Sequence, residues 1–305
     1  MAVLGKWIEG LSPASSVSEA ARRSLQARLA AVRHHLPLAA RRAADDVEHV
    51  HRLRVATRRA VAALELYRDF VPPKKARRLR TLLKRIRRAA GAARDLDVML
   101  TALEAEQDAR WQPVINDIHE RRLCVQPDIV QVLAEARRKD KLKKLAKRVT
   151  DAVRPRRRRD QRRRRRRFAN WAKKQLRRAS ERCFQADPGA TDDFETLHRF
   201  RIEAKRLRYT LELLAPALGK DFIRDVYPQV EQLQERLGAV NDHVAAVATW
   251  RQWMCEADDD TRRQLLSELI EQRQQDLQQT MAEYTAWWSE RQAANLQGVL
   301  RPKGR

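Results

Sequence analysis

The sequence predicts an all-α protein: two tandem four-helix bundles related by pseudo-two-fold symmetry. Three observations carry this expectation. Only 8 Gly and 11 Pro punctuate 305 residues, and strong helix formers dominate the rest. Apolar residues recur at helical spacing, so that Leu53, Ala56, Ala60, Leu64 and Tyr67 share one face. The chain also repeats itself. HRLRVATRRAVAALELY (His51–Tyr67) returns as HRFRIEAKRLRYTLELL (His198–Leu214), an offset of 147 residues. His51 answers His198, Arg54 answers Arg201, Arg58 answers Lys205, Arg59 answers Arg206 and Glu65 answers Glu212. Gly91-Ala-Ala-Arg-Asp95 answers Gly238-Ala-Val-Asn-Asp242 at the same offset, with no gap. A constant offset that matches His, Gly and Asp is hard to obtain from compositional bias alone. It predicts repeats over 14–153 and 160–300, joined by a 154–167 linker that runs into the fifth helix.

Each element follows from local chemistry. Ser16-Val-Ser-Glu19 has capping-box spacing and opens a first helix to about Leu36, with Pro37 marking a turn. Asp45 with Glu48 three residues on caps the second helix, and Asp192 with Glu195 caps its repeat. Val71-Pro72-Pro73 ends the second helix and suits the start of a third, Lys74–Asp108, which contains Gly91. A fourth helical region starts at Pro113, breaks around Pro127 and ends near Val153. The second half repeats the scheme: a helix to Phe184, one from Asp192 to Leu214, one from Lys220 past Trp253, and one from Asp260 to the end region. Arg301–Arg305 reads as a frayed tail.

A formal net charge of +25 points to a polyanion or an anionic surface as partner. The three Cys, at 124, 183 and 255, match no metal or redox spacing and suit a reducing, cytoplasmic setting. Met1–Leu11 is too short and too charged for a signal peptide, and no apolar run is long enough to span a membrane, so the chain is expected to be soluble. Arg154–Arg167 holds eleven arginines in fourteen residues, which cannot enter a core and is expected to be an accessory polyanion contact.

The repeated helix presents cations opposite its apolar face: His51, Arg54 and Arg58 in one copy, His198, Arg201, Lys205 and Arg208 in the other. Concentrating cations on one line raises self-repulsion, which makes sense where an anion is bound. Arginine grips phosphate oxygens bidentately, lysine acts as a point charge, and a bound anion favours protonated histidine. No Gly-rich phosphate loop, nucleophile elbow or HExxH is present. A metal between His51 and His198 is disfavoured by the Arg at i+3 of each.

The strings HRFRIEAKRLRY and GAARDLDV resemble the CHAD family, the conserved histidine α-helical domain, and the likeness runs from about Ser16 to the last helix. The resemblance implies a duplicated four-helix bundle with a basic central groove or pore that binds inorganic polyphosphate without catalysis, and association with polyphosphate granules. It implies binding roles for His51, Arg54, Arg58, Arg59, His198, Arg201, Lys205, Arg206 and Arg208, with Lys84 and Arg88 as additions. The second half departs from this pattern, since Glu231 and Glu235 stand where Lys84 and Arg88 stand in the first. Asp95, Asp97, Asn241 and Asp242 are expected to orient the arginines or to pack helices. The triphosphate-tunnel signature carried by many family members is not matched, because Glu104-Ala-Glu106-Gln-Asp108 lacks its Lys. No cofactor is expected. The alternative is binding to a DNA or RNA backbone, but aromatics do not interleave with the basic stripe as stacking platforms would.

Overall fold

The structure, a computed structural model, describes residues 5–154, 167–189, 191 and 193–301. Among these the chain is almost wholly α-helical, with one isolated bridge, Ser16 to Arg167, and no strand. Ten α-helices follow in order: α1 Val17–Arg41, α2 Glu48–Leu66, α3 Pro73–Glu106, α4 Gln112–Arg137, α5 Lys141–Thr150, α6 Phe168–Gln185, α7 Phe194–Leu218, α8 Lys220–Glu256, α9 Asp260–Trp287 and α10 Glu290–Val299.

The caps fix the helix starts. Ser16 Oγ accepts from the Glu19 amide at 3.1 Å and opens α1 as expected. The carboxylates that accept from the first-turn amides of α2 and α7 lie one residue beyond the expected Asp45 and Asp192, and the N-cap position of α2 itself is Val47. Asp46 Oδ1 accepts from the Glu48 amide at 2.8 Å, and Asp193 Oδ1 from the Glu195 amide at 2.9 Å. These two again stand 147 apart. Asp45 instead accepts from Arg42 Nε at 2.8 Å, and Asp192 lies outside the described residues.

Proline does not break the helices where the sequence suggested. α1 runs through Pro37, and α4 runs through Pro127. Proline removes one hydrogen bond and crowds the preceding turn, but burial of Leu36, Ala39 and Ala40 on one side and Ile129 and Leu133 on the other holds both helices together. The break comes later, at Lys139 and Asp140, whose φ values of 50° and 55° place both in the left-handed region. α7 likewise continues past Leu214, through Pro216, and stops at Gly219, whose φ of 94° ends the helix where only glycine adopts the turn easily.

The chain divides into two compact units. The first comprises Met1–Thr101, Ile118–Gln175 and Glu212–Gly219; the second comprises Ala102–Asp117, Leu176–Leu211 and Lys220–Arg305. In the first unit α1 packs on α2 and α5. The predicted apolar face is fully realised there: Leu53, Ala60, Leu64 and Tyr67 are wholly buried and Ala56 nearly so. Trp171 stacks on Tyr67 with ring centres 5.3 Å apart. In the second unit α8 packs on α9 and α10, around Phe200, Trp250, Tyr284 and Trp288. Among the described residues no helix is long and apolar enough to cross a membrane.

Candidate functional site

In the first unit the cationic line of α2 runs antiparallel to α3. Arg54 Nη1 donates to the Gly91 carbonyl and to Asp95 Oδ1, both at 2.8 Å, and its side chain is only 17% exposed. Arg54 therefore fastens two helices rather than standing on a solvated face. A Cβ at Gly91 would come no closer than 3.9 Å to Arg54, so the carbonyl at this position matters more than the missing side chain. Three turns along α2, Glu65 meets Arg80 of α3 at 2.7 Å.

Between these two crossings the facing stretches, 55–64 and 81–90, contain no Asp, no Glu and no aromatic residue. They carry six cations. Arg59 is diverted into the core, where its Nε and Nη2 donate to the two oxygens of fully buried Glu212 at 2.7 and 2.9 Å. Arg85 is paired with Glu135 at 2.5 Å. Arg58, Lys84, Arg87 and Arg88 remain, and none of them forms an ion pair with a described residue. Helical spacing puts Arg58, one turn beyond Arg54, level with Arg88 and Lys84. His51 sits at the head of this line. Burial, and then the charges of Arg94, Arg54 and Arg58, lower its pKa from the ordinary 6.5, against an opposing pull from Glu48.

In the second unit the same positions have acceptors. His198 Nδ1 lies 2.7 Å from Asn241 Oδ1, and Arg201 Nη2 donates to Asp242 Oδ1 at 3.4 Å. Arg208 donates to Tyr227 Oη at 3.2 Å and to Glu231 Oε1 at 3.1 Å, with its guanidinium 5.1 Å from the Tyr209 ring centre. Arg206 pairs with Glu203 on its own helix. Lys205 is half-buried and also engaged. The expected arginine-orienting role holds geometrically for Asp95 and Asp242, while Asn241 meets His198 instead. Asp97 takes the helix-packing alternative: it is 2% exposed and accepts from Arg122 Nε at 2.6 Å, joining α3 to α4.

Two cations on the α2–α3 face went unnoticed in the sequence, Arg87 and Arg94. The signal for Arg94 was present, because its position answers Asn241 at the 147 offset. Arg94 lies close enough to His51 for its charge to disfavour the protonated ring, whereas Asn241 meets His198 through a hydrogen bond. The arginine run over 155–166 lies outside the described residues. Among the described residues no cluster of three or more His, Cys, Asp or Glu offers a metal site. Burial pushes the Cys183 thiol up to about 12, helped by Asp187 and Glu203, which suits a packing residue rather than a nucleophile.

Fold and site together define an all-helical protein with a repeated His- and Arg-bearing helix clamped to a partner helix by an Arg–Asp pair. Residues 23–251 match the CHAD domain, and the chain belongs to that family. Two solved structures share the fold. The CHAD domain from the plant Ricinus communis is 20% identical, with 98% of this chain and 96% of that one covered and a TM-score of 0.70. PptA from Streptomyces chartreusis is 17% identical, with 90% and 99% covered and a TM-score of 0.61. No curated protein matches the chain in sequence.

Proposed function

We propose that this protein binds inorganic polyphosphate without catalysing its turnover, chiefly through the α2–α3 face of its first unit, and that this binding holds it at cytoplasmic polyphosphate granules. The observation that carries the reading is the acid-free stretch with Arg58, Lys84, Arg87 and Arg88. Cations gathered on one face without counterions repel one another, and a linear anion with a charge on every phosphate relieves that repulsion along its whole length. A nucleic acid also offers phosphates, but this stretch has no aromatic ring on which a base would stack. His51 and Arg94 extend the line at one end.

The remaining candidates have graded roles in this reading. Arg54 and Arg201 position the helices through Asp95 and Asp242 and meet the polymer from the side. Arg59 holds Glu212. His198, Lys205, Arg206 and Arg208 form a weaker second stripe, where Glu203, Glu231 and Glu235 compete with phosphate. The tandem four-helix repeats and their symmetry belong to the same proposal. The matched pairs Arg54–Asp95 and Arg201–Asp242, and the matched bonds from the Glu48 and Glu195 amides to Asp46 and Asp193, support it.

The test is competition between labelled long-chain polyphosphate and duplex DNA at matched charge concentration over several salt levels. Polyphosphate is expected to win throughout. Neutralising Arg58, Lys84 and Arg88 together to Gln is expected to weaken polyphosphate binding by at least about a hundredfold, since each charge-assisted contact contributes roughly 1.5–3 kcal/mol. A control variant changes the surface cations Arg22, Arg137 and Arg291. Equal losses in both variants, or a preference for DNA at every salt, would sink the proposal.

A further inference from the structure

The first unit has a second cationic feature, remote in sequence from the α2–α3 stretch. The N-terminal segment, α1 and α5 enclose a cleft of about 680 Å³, a size typical of small-molecule sites. Its floor is apolar, made by Ile8, Ala27, Leu29, Ala30 and Ala146. Arg23 and Arg33 of α1 and Lys143 and Lys147 of α5 line it, together with two carboxylates, Glu9 and Asp151. Trp7 stands in the wall, 37% exposed, with Lys6 Nζ 5.5 Å from its ring centre.

This wall is fixed in place. Buried Arg28 donates to the Gly5 carbonyl at 2.9 Å and to the Lys6 carbonyl at 2.6 Å, which pins the chain just before Trp7. Just after it, Ile8 is 5% exposed and anchored in the core. Gly10 has a φ of +70° and lies so close to Arg23 that a Cβ there would come within 2.3 Å of Nη1. Trp7 is therefore held by structure on both sides and remains partly open to solvent.

We propose that this cleft binds the base and phosphates of a nucleotide. A bare phosphate chain gains nothing from an indole and an alanine-lined floor. A fatty acid or lipid would gain nothing from Glu9 and Asp151. A nucleotide uses every class of group present: the flat base takes the apolar floor and Trp7, and the cationic rim takes the phosphates. Exocyclic amines or ribose hydroxyls donate to the carboxylates. The nucleotide is free in solution or is one unit of a single-stranded nucleic acid. The two sources share this chemistry, and the proposal stands independently of polyphosphate binding.

The experiment is calorimetric titration of the full chain carrying R58Q, K84Q and R88Q, which silences the α2–α3 face. The probes are ATP, inorganic tripolyphosphate and a short oligoadenylate. ATP is expected to bind at least about tenfold tighter than tripolyphosphate, the scale of one base–aromatic stack. Trp7→Ala is expected to remove that advantage and leave tripolyphosphate unchanged, while Trp7→Phe keeps most of it. Lys143→Gln with Lys147→Gln is expected to weaken all three probes. Tighter binding per site by oligoadenylate assigns the cleft to single-stranded nucleic acid, and tighter binding by ATP assigns it to free nucleotide. Equal affinity for ATP and tripolyphosphate in the parent protein overturns the proposal whether or not the Trp7 variants fold. So does a folded Trp7→Ala protein that keeps the full preference for ATP.

Discussion

Arg59 and Arg206 occupy the same place in the repeat and are used differently. Arg206 pairs with a neighbour one turn back on its own helix and is 63% exposed, whereas Arg59 reaches a carboxylate, Glu212, with no solvent exposure at all. Arg28, 4% exposed, lies 3.5 Å from the same carboxylate. Glu212→Gln leaves two largely buried guanidinium groups without their charge partner. The expected loss is about 3–5 kcal/mol of stability, read as a lower urea midpoint by circular dichroism; an unchanged midpoint would show that the triad is not stabilising. His51 makes a pH prediction. Its folded pKa lies below the ordinary 6.5, so the unfolded chain binds the proton more readily, and the stability linked to His51 is present above that value and lost as pH falls below it. If polyphosphate binds as proposed, it reverses the preference by favouring the charged ring. Affinity is therefore expected to rise as pH falls toward the lowered folded pKa, below 6.5, and His51→Gln should flatten that rise in a binding titration across pH.

At the scale of elements, α3 and α8 carry stretches that answer each other at the 147-residue offset but differ in charge. α3 presents Lys84 and Arg88 toward the basic stretch, and α8 presents Glu231 and Glu235 at the answering positions. Glu231 is tied to Arg208, but Glu235 is exposed, so changing it should leave the packing intact. Glu235→Arg is expected to raise polyphosphate affinity several-fold and to steepen its salt dependence by about one unit, the increment for one additional phosphate contact. Binding isotherms at a series of salt concentrations decide this, and no change in slope would mean that the second stripe does not reach the polymer. The expected helix breaks at Pro37 and Pro127 failed for the same physical reason. One lost hydrogen bond costs less than giving up a buried turn, and the signal that did break the chain, left-handed backbone at Lys139 and Asp140, has no Gly to announce it.

At the scale of the whole molecule, a net charge of +25 guarantees attraction to any polyanion and by itself selects none. Selectivity requires shape, which the proposed α2–α3 face offers and a run of identical charges does not. Deleting residues 156–166 is therefore expected to weaken polyphosphate and DNA alike and to lower the salt slope of both. The preference for polyphosphate should survive, measured by the same competition. If that preference disappears with the deletion, the run rather than the helices carries recognition.

The sequence alone determined the helical class, the family resemblance, the 147-residue period and the buried face of α2, because composition, spacing and apolar periodicity are properties of the chain itself. It also picked out the cationic line. It did not reveal which of those cations are available. Arg54, Arg58 and Arg59 are equivalent as letters, yet one fastens α2 to α3, one stands on an acid-free face, and one is locked to Glu212, 153 residues away. Whether an arginine binds a ligand or a neighbour depends on where the nearest carboxylate falls after folding. For Arg59 that carboxylate lies in a distant helix, so only the tertiary structure decides it.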